Sequence, residues 1–413
     1  MALEELMATA SEAPAARRLR GLVEWVGEGR SLTQTGRLRR ADALALVELL
    51  DTGDRLDPRF PIHSSAELHR LTLLVEWAKA CRLVRVVHGR LVPVKKAAKL
   101  LDRPLELVTR MLEALPRLGD ELGDSLVAFD AAHTVAAVFG ELVGRGGSLS
   151  TDRAREVAWK TAAARYWFPH ASEQQLEWQR RGSDGDLRRL LMTAAELGVL
   201  TFTDRAIELT GLGHRCVPAW LGLGTSESGV LTVKVTLEDS AAPVVWRRLR
   251  VAADIRLDRF HQVLCAAMGW EDSHLHVFER GDERYGHPNP EIEIEDDRQK
   301  TLDDLLAAVG DRLDHEYDFG DGWRHVIVVE ASAAGDDATP RCIDGAGRCP
   351  PEDVGGISGY EELRRVLADP RDAEHEHMLG WLGISDAREF DAAAFDLERA
   401  NAAIAGALAD HIT

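Results

Sequence analysis

The sequence predicts two unlike halves. Residues 1–220 read as a mainly α region of winged-helix-like repeated units, and residues 230–413 as an acidic α+β domain. In that domain a strand–strand–helix–strand order suggests a β-grasp-like core followed by C-terminal helices, and residues 221–229 read as the linker. Three observations carry this division: an uneven charge distribution, an internal repeat confined to the first half, and a change from helical to alternating periodicity after the linker. Residues 1–225 hold 31 Lys/Arg against 29 Asp/Glu. From totals of 50 and 69, residues 226–413 are left with 19 and 40, a balance of −21 that outweighs the +2 of the first half and sets the net charge of −19. An acidic half repels phosphate backbones, so any nucleic-acid contact belongs to the first half.

The repeat comes first in chain order. Leu22-Val23-Glu24-Trp25 recurs as Leu74-Val75-Glu76-Trp77, and Gly36-Arg37-Leu38 recurs as Gly89-Arg90-Leu91. Each is followed by an apolar-periodic stretch, Ala41–Leu50 and Lys95–Leu115, which reads as a duplicated supersecondary unit. In the second copy Leu71, Leu74, Val75 and Ala78 have helical spacing. His88-Gly89 then sits between two apolar runs as a hairpin turn. A third, looser copy is a helix over Leu190–Leu197 followed by strands at Val199–Phe202 and Ile207–Thr210. Helices followed by a short hairpin are the sequence pattern of a winged helix. From Trp77 to Leu101 there are seven Lys/Arg and no acid. Arg82, Arg85, Arg90, Lys95, Lys96 and Lys99 are therefore the nucleic-acid candidates, the alternative being a solvated basic face that docks the acidic half.

Leu221–Gly229 has the Gly/Ser composition of a linker. Beyond it Leu231, Val233, Val235 and Leu237 alternate as a strand, and Val245, Leu249 and Val251 form a second. Phe260, Val263, Leu264 and Ala267 follow at helical spacing, closed by Gly269. Strand character resumes over His274–Glu279. A helix over Leu302–Val309, strands over Arg312–Tyr317 and Arg324–Glu330, a Gly/Pro/Cys-rich loop and further helices complete the domain. The first of these closing helices is expected at the capping-box spacing of Ser358 and Glu361.

Four ordered segments of this half are familiar. They are Val244-Val245-Trp246-Arg247-Arg248, Met268-Gly269-Trp270-Glu271-Asp272-Ser273-His274-Leu275-His276, Tyr317-Asp318-Phe319-Gly320-Asp321-Gly322-Trp323 with His325, and Cys349-Pro350-Pro351-Glu352-Asp353 with Gly355-Gly356 and Gly359-Tyr360. Over about residues 229–405 the chain resembles the plasmid pRiA4b ORF-three-like family, which also occurs in TnpR-labelled passenger proteins of insertion elements. The resemblance implies an α+β fold and a mobile-element lineage. It supplies no activity, and no recombinase motif stands behind the resolvase label here. Family members often carry a cysteine after Pro-Pro-Glu-Asp, where this chain has Val354.

The candidate ligand or metal residues are His274, His276, Asp318, Asp321, His325, Cys342, Cys349, Glu352 and Asp353. Two histidines two apart in a strand share a face. Imidazole, carboxylate and thiolate are the donors that take zinc or another divalent metal. The expectation is that His276, Asp318, Asp321 and His325 share one pocket with perturbed proton affinities, His274 nearby and Cys342 and Cys349 at its rim. The competing reading makes Asp318–Gly322 a hairpin whose aspartates cap amides, and the tryptophans core.

No phosphate loop, dinucleotide fingerprint, nucleophile elbow or zincin helix occurs. The N-terminus lacks a basic segment before an apolar core, and the five cysteines form no framework. A cytoplasmic adaptor or regulator with a protein partner, DNA contact through its first half and no membrane association is the expected protein. The runner-up is a metal-dependent hydrolase or nuclease-like enzyme using His274, His276, Asp318, Asp321 and His325.

Overall fold

The computed structural model describes residues 3–57, 59–165, 172–225, 228–288, 294–334 and 339–410. The chain forms two units, one from the residues up to Leu221 with the last few residues, the other from Gly222 to Leu408. No helix among the described residues is long and apolar enough to cross a membrane.

The first unit runs α1 (Leu3–Glu12), α2 (Pro14–Val26), β1 (Arg30–Ser31), α3 (Arg40–Leu50), α4 (His69–Ala80), β2 (Val84–Val87), β3 (Arg90–Pro93) and α5 (Pro104–Ala114). It continues through α6 (Ala131–Gly144), β4 (Ser148–Ser150), α7 (Thr151–Ala164), α8 (Glu173–Glu196), β5 (Leu200–Phe202), β6 (Ala206–Leu209) and α9 (Gly211–Trp220). Two three-stranded sheets result, ordered β1-β3-β2 and β4-β6-β5. One arrangement thus occurs twice: helix, strand, two helices, hairpin, with the early strand pairing the last one. The two LVEW copies are therefore not separate modules. They lie in α2 and α4 of one module, and Arg30 and Ser31 of the first copy pair Leu91 and Arg90 of the second. The physical reason is that a lone two-stranded hairpin is marginal, and β1 covers one of its edges. Leu22, Leu74 and Trp77 are all buried. His88 and Gly89 have φ of 47° and 71°, which a two-residue turn of this hand requires.

The second unit contains β7 (Val230–Leu237), β8 (Trp246–Ala252), α10 (Leu257–Met268), β9 (His276–Arg280), β10 (Glu283–Gly286), β11 (Glu295–Asp296), β12 (Arg312–Tyr317), β13 (Trp323–Ala333) and β14 (Arg341–Ala346). Helices α11 (Gly356–Ala368), α12 (His375–Leu382) and α13 (Leu397–Asp410) close it. The sheet order is β11-β10-β9-β12-β13-β7-β8-β14, antiparallel apart from the short β10–β11 pairing. One face of the sheet carries Val233, Val235, Leu249, Phe278, Leu313 and Ile327, all fully buried. Over it lies the stripe of α10, with Phe260 stacked on Phe278 at 6.0 Å.

The strand–strand–helix–strand order is present, with β12 and β13 lying between β9 and the β7–β8 hairpin in the sheet. Three expectations change. The helix expected over Leu302–Val309 stops at Leu305, since the Asp311 carboxylate accepts the amides of Ala307 and Ala308 and turns the chain. Helix α11 begins at Gly356, before the capping-box serine. The described part of the linker is packed: Leu221 and Leu223 are buried, and Thr225 donates its amide and hydroxyl to Asp254.

Candidate functional site

Register brings four histidines into one buried layer. In an antiparallel sheet paired residues share a face, and β12 pairs His315 with His325 of β13 and with Phe278 of β9. Tyr317, two residues on, pairs His276. His261 descends on this face from α10, its ring stacked on His276 with centroids 3.4 Å apart. His261, His315 and His325 are nearly inaccessible to solvent. Asp272 Oδ1 lies 2.8 Å from His261 Nε2, His261 Nδ1 lies 2.9 Å from His315 Nε2, and His315 Nδ1 lies 3.3 Å from His325 Nδ1.

Neutral imidazole has one donor and one acceptor, so the chain of contacts dictates the tautomers. Asp272 accepts from His261 Nε2–H, His261 Nδ1 accepts from His315 Nε2–H, and His315 Nδ1 accepts from His325 Nδ1–H. His325 Nε2 is left as a buried acceptor without a partner. A proton there gains no hydrogen bond. Burial accordingly pushes the His325 pKa down to about 3. Burial first, and the facing imidazoles of His261, His325 and His276 second, hold His315 well below the usual histidine range.

Cys265 stands one turn beyond His261, its Sγ 3.5 Å from His261 Nε2. A nucleophile–base–acid relay needs the thiol and the carboxylate on opposite ring nitrogens. Here Asp272 already meets Nε2 and His315 meets Nδ1, so the thiol has no ring nitrogen to itself. Burial, then the carboxylates of Asp272 and Glu352, push the Cys265 thiol well above its usual value, so it stays protonated.

A second group forms at the sheet end. His274, in the turn before β9, points Nε2 at Asp318 Oδ2 (3.6 Å) and at Asp353 Oδ1 (3.5 Å). Asp318 belongs to the β12–β13 turn and Asp353 to the loop before α11. The three donor atoms lie within 4.8 Å of one another. Asp318 Oδ1 accepts the amide of Gly320, which leaves Oδ2 facing His274. The loop carrying Asp353 is clamped from three sides. Trp270 Nε1 donates to Pro350 O, the Tyr317 hydroxyl donates to Glu352 Oε1, and the amides of Glu271 and Gly355 donate to Glu352 and Asp321. Gly356 has φ of 70°, and a Cβ there falls 2.4 Å from the Asp321 carbonyl oxygen. Gly356→Ala should therefore cost roughly 1–3 kcal/mol, read as a lowered urea midpoint.

The nine nominated residues thus divide. His274, Asp318 and Asp353 meet. His276 turns instead to Asp297, 2.9 Å away, so the two histidines of the HLH segment do not share a ligand site. His274 precedes the strand, and strand alternation does not govern it. His325 joins the buried layer, while Asp321 and Glu352 accept backbone amides or a hydroxyl. Cys342 is on β14, separated from β13 by β7 and β8, with its Sγ donating to Asp344 O, so it is at no rim of this site. Cys349 lines a cleft of about 540 Å³ with Arg247, Phe390 and the clamp residues Trp270, Pro350 and Glu352. His261, Cys265, Asp272, Asp297 and His315 escaped sequence reasoning. The available signals were the four-residue spacing of His261 and Cys265, and the alternation of His315 with Tyr317.

The second unit is therefore a single-sheet α+β domain in which segments around His274, Gly320 and Pro350 are tied together at one end. Residues 229–399 match the family model described as Plasmid pRiA4b ORF-3-like protein. The uncharacterized protein y4hQ of Sinorhizobium fredii is 41% identical over 182 residues, which cover 43% of this chain and 91% of that protein. A crystal structure of a protein of unknown function from Methanosarcina mazei Go1 shares 28% identity over 41% of this chain and 95% of its own, with a TM-score of 0.37. The chain belongs to the plasmid pRiA4b ORF-3-like family.

Proposed function

We propose that the protein is a non-enzymatic adaptor or regulator of mobile-element lineage whose first unit lays a cationic winged-helix hairpin on the phosphate backbone of duplex DNA. The observation that carries this is the state of the candidate cations. Arg82, Arg85, Arg90, Lys95, Lys96 and Lys99 are all exposed, and among the described residues none is in an ion pair. Lys79 alone of this stretch is neutralised, by Glu76 at 2.7 Å. Register puts Arg85 and Arg90 on one face of the β2–β3 hairpin. The third helix of the module, α4, offers little to a groove, since only His69 and Arg70 of it are exposed. Leu71, Leu74, Val75, Trp77 and Ala78 are buried, and Trp77 Nε1 donates to Met111 O of α5. Contact through the hairpin without an inserted helix positions a protein on DNA but reads no sequence.

The enzyme reading needs His274, His276, Asp318, Asp321 and His325 at one point. His276 and His325 lie in the buried layer, Asp321 in the loop clamp, and His274 and Asp318 in the open group, which favours a binding role.

Fluorescence anisotropy of the full-length protein with a short duplex tests the proposal. Binding should be weak and independent of sequence. With four to six phosphate contacts, log K should fall against log salt with a slope of about −4 to −5. Reversing Arg85, Arg90, Lys95 and Lys96 to Glu should abolish it. No binding in low salt, or binding that survives the reversal, rejects the proposal.

A further inference from the structure

We infer that His274, Asp318 and Asp353 bind one divalent transition cation, with zinc as the expected ion. The spacing of the donors is the first argument. At 3.5 and 3.6 Å, the contacts from His274 Nε2 to the two carboxylates are longer than the ordinary N–H···O range of 2.7–3.2 Å. Donors held about 2.0–2.2 Å from one ion stand roughly 3.0–3.5 Å apart, depending on whether four or six surround it. The group is therefore spread for an ion and not closed as a hydrogen-bonded pair. The buried Asp272–His261 contact shows the difference, because at 2.8 Å it is a closed hydrogen bond.

The origin of the donors is the second argument. Each comes from a different segment, and the segments of His274 and Asp353 are fixed by contacts that do not involve the donors themselves. Ser273, beside His274, donates its amide to the Tyr317 hydroxyl. That hydroxyl donates in turn to Glu352, the neighbour of Asp353. The Asp318 carboxylate is oriented by the Gly320 amide. A preorganised set loses little freedom when the ion enters.

Donor chemistry selects the ion. One imidazole and two carboxylates suit borderline cations such as zinc better than magnesium, which prefers an all-oxygen shell. The Asp353 side chain is 73% exposed, so the remaining coordination positions face solvent and are filled by water. Metal binding takes deprotonated ligands, so acid releases the ion.

The test uses full-length protein stripped with a chelator and then titrated with Zn²⁺ by calorimetry, with metal content read after dialysis. One equivalent is expected. His274→Ala and Asp353→Asn should each weaken binding at least tenfold. Both residues are at least partly exposed, so folding survives, and hydrogen exchange at residues 350–356 should become faster when the metal is removed from the wild type. Cys265→Ala, in the buried group with His261 and Asp272, should leave affinity unchanged. Substitution by Co²⁺ should give a spectrum without thiolate-to-metal charge transfer. Absence of stoichiometric binding, retention of affinity in both open-group variants, or loss of the metal in Cys265→Ala overturns the assignment.

Discussion

Trp323→Ala should destabilise the second unit by about 3–5 kcal/mol, the cost of emptying a large aromatic site that cannot collapse. Trp323 is completely buried at the start of β13, packs at 5.7 Å from Trp270, and pairs Tyr317 across the sheet. It stands between the Asp318 turn and the buried histidines, so its loss opens the layer from the end where both groups begin. Trp323→Phe should behave quite differently. The indole Nε1 of Trp323 is buried without an acceptor, so the smaller ring forfeits volume but also removes an unsatisfied donor. A penalty of about 1 kcal/mol or less is expected. Urea unfolding, followed by hydrogen exchange of peptides across residues 312–330, reads the two variants separately from the first unit. Equal penalties for Ala and Phe would show that the indole nitrogen, and not the ring volume, is what the site needs.

Acid should unfold the second unit through its histidines before its carboxylates are exhausted. The folded pKa of His325 is depressed to about 3, and an unfolded histidine titrates near 6.5. The unfolded chain therefore binds a proton that the native layer refuses. The stability contributed by the neutral ring is complete above about pH 6.5 and declines as pH falls toward the folded value. By pH 5 the loss from His325 alone is about 2 kcal/mol. His315, held low by burial and by three neighbouring imidazoles, acts in the same direction. His325→Phe keeps an aromatic ring but removes the titration, and should make stability between pH 7.5 and 5 shallower by about 2 kcal/mol. An unchanged pH slope in that variant would place the acid sensitivity elsewhere.

Much of the second unit was legible because its signals are local. Leu231, Val233, Val235 and Leu237 alternate as β7, and Phe260, Val263 and Leu264 lie on one stripe of α10. Gly269 ends that helix with φ of 102°. Asp318 capping the Gly320 amide was likewise foreseeable, since short aspartates and glycines make turns wherever they stand. In the first unit, the hairpin at His88-Gly89 follows from the same turn chemistry.

Sequence alone therefore determined the charge division, the principal strands and helices, the family likeness and the three segments from which a site could be made. Tertiary structure decided which residues meet. His274 and His276, neighbours in the HLH segment, part company because β9 begins between them and only the second obeys strand alternation. His261 and His315, 54 positions apart, touch because α10 crosses the strand that carries His315. β1 likewise joins two sequence copies into one module because a hairpin edge lowers its free energy by pairing. Such choices depend on which backbone groups and ring nitrogens find partners across long chain separations, and that pairing is a property of the packed sheet.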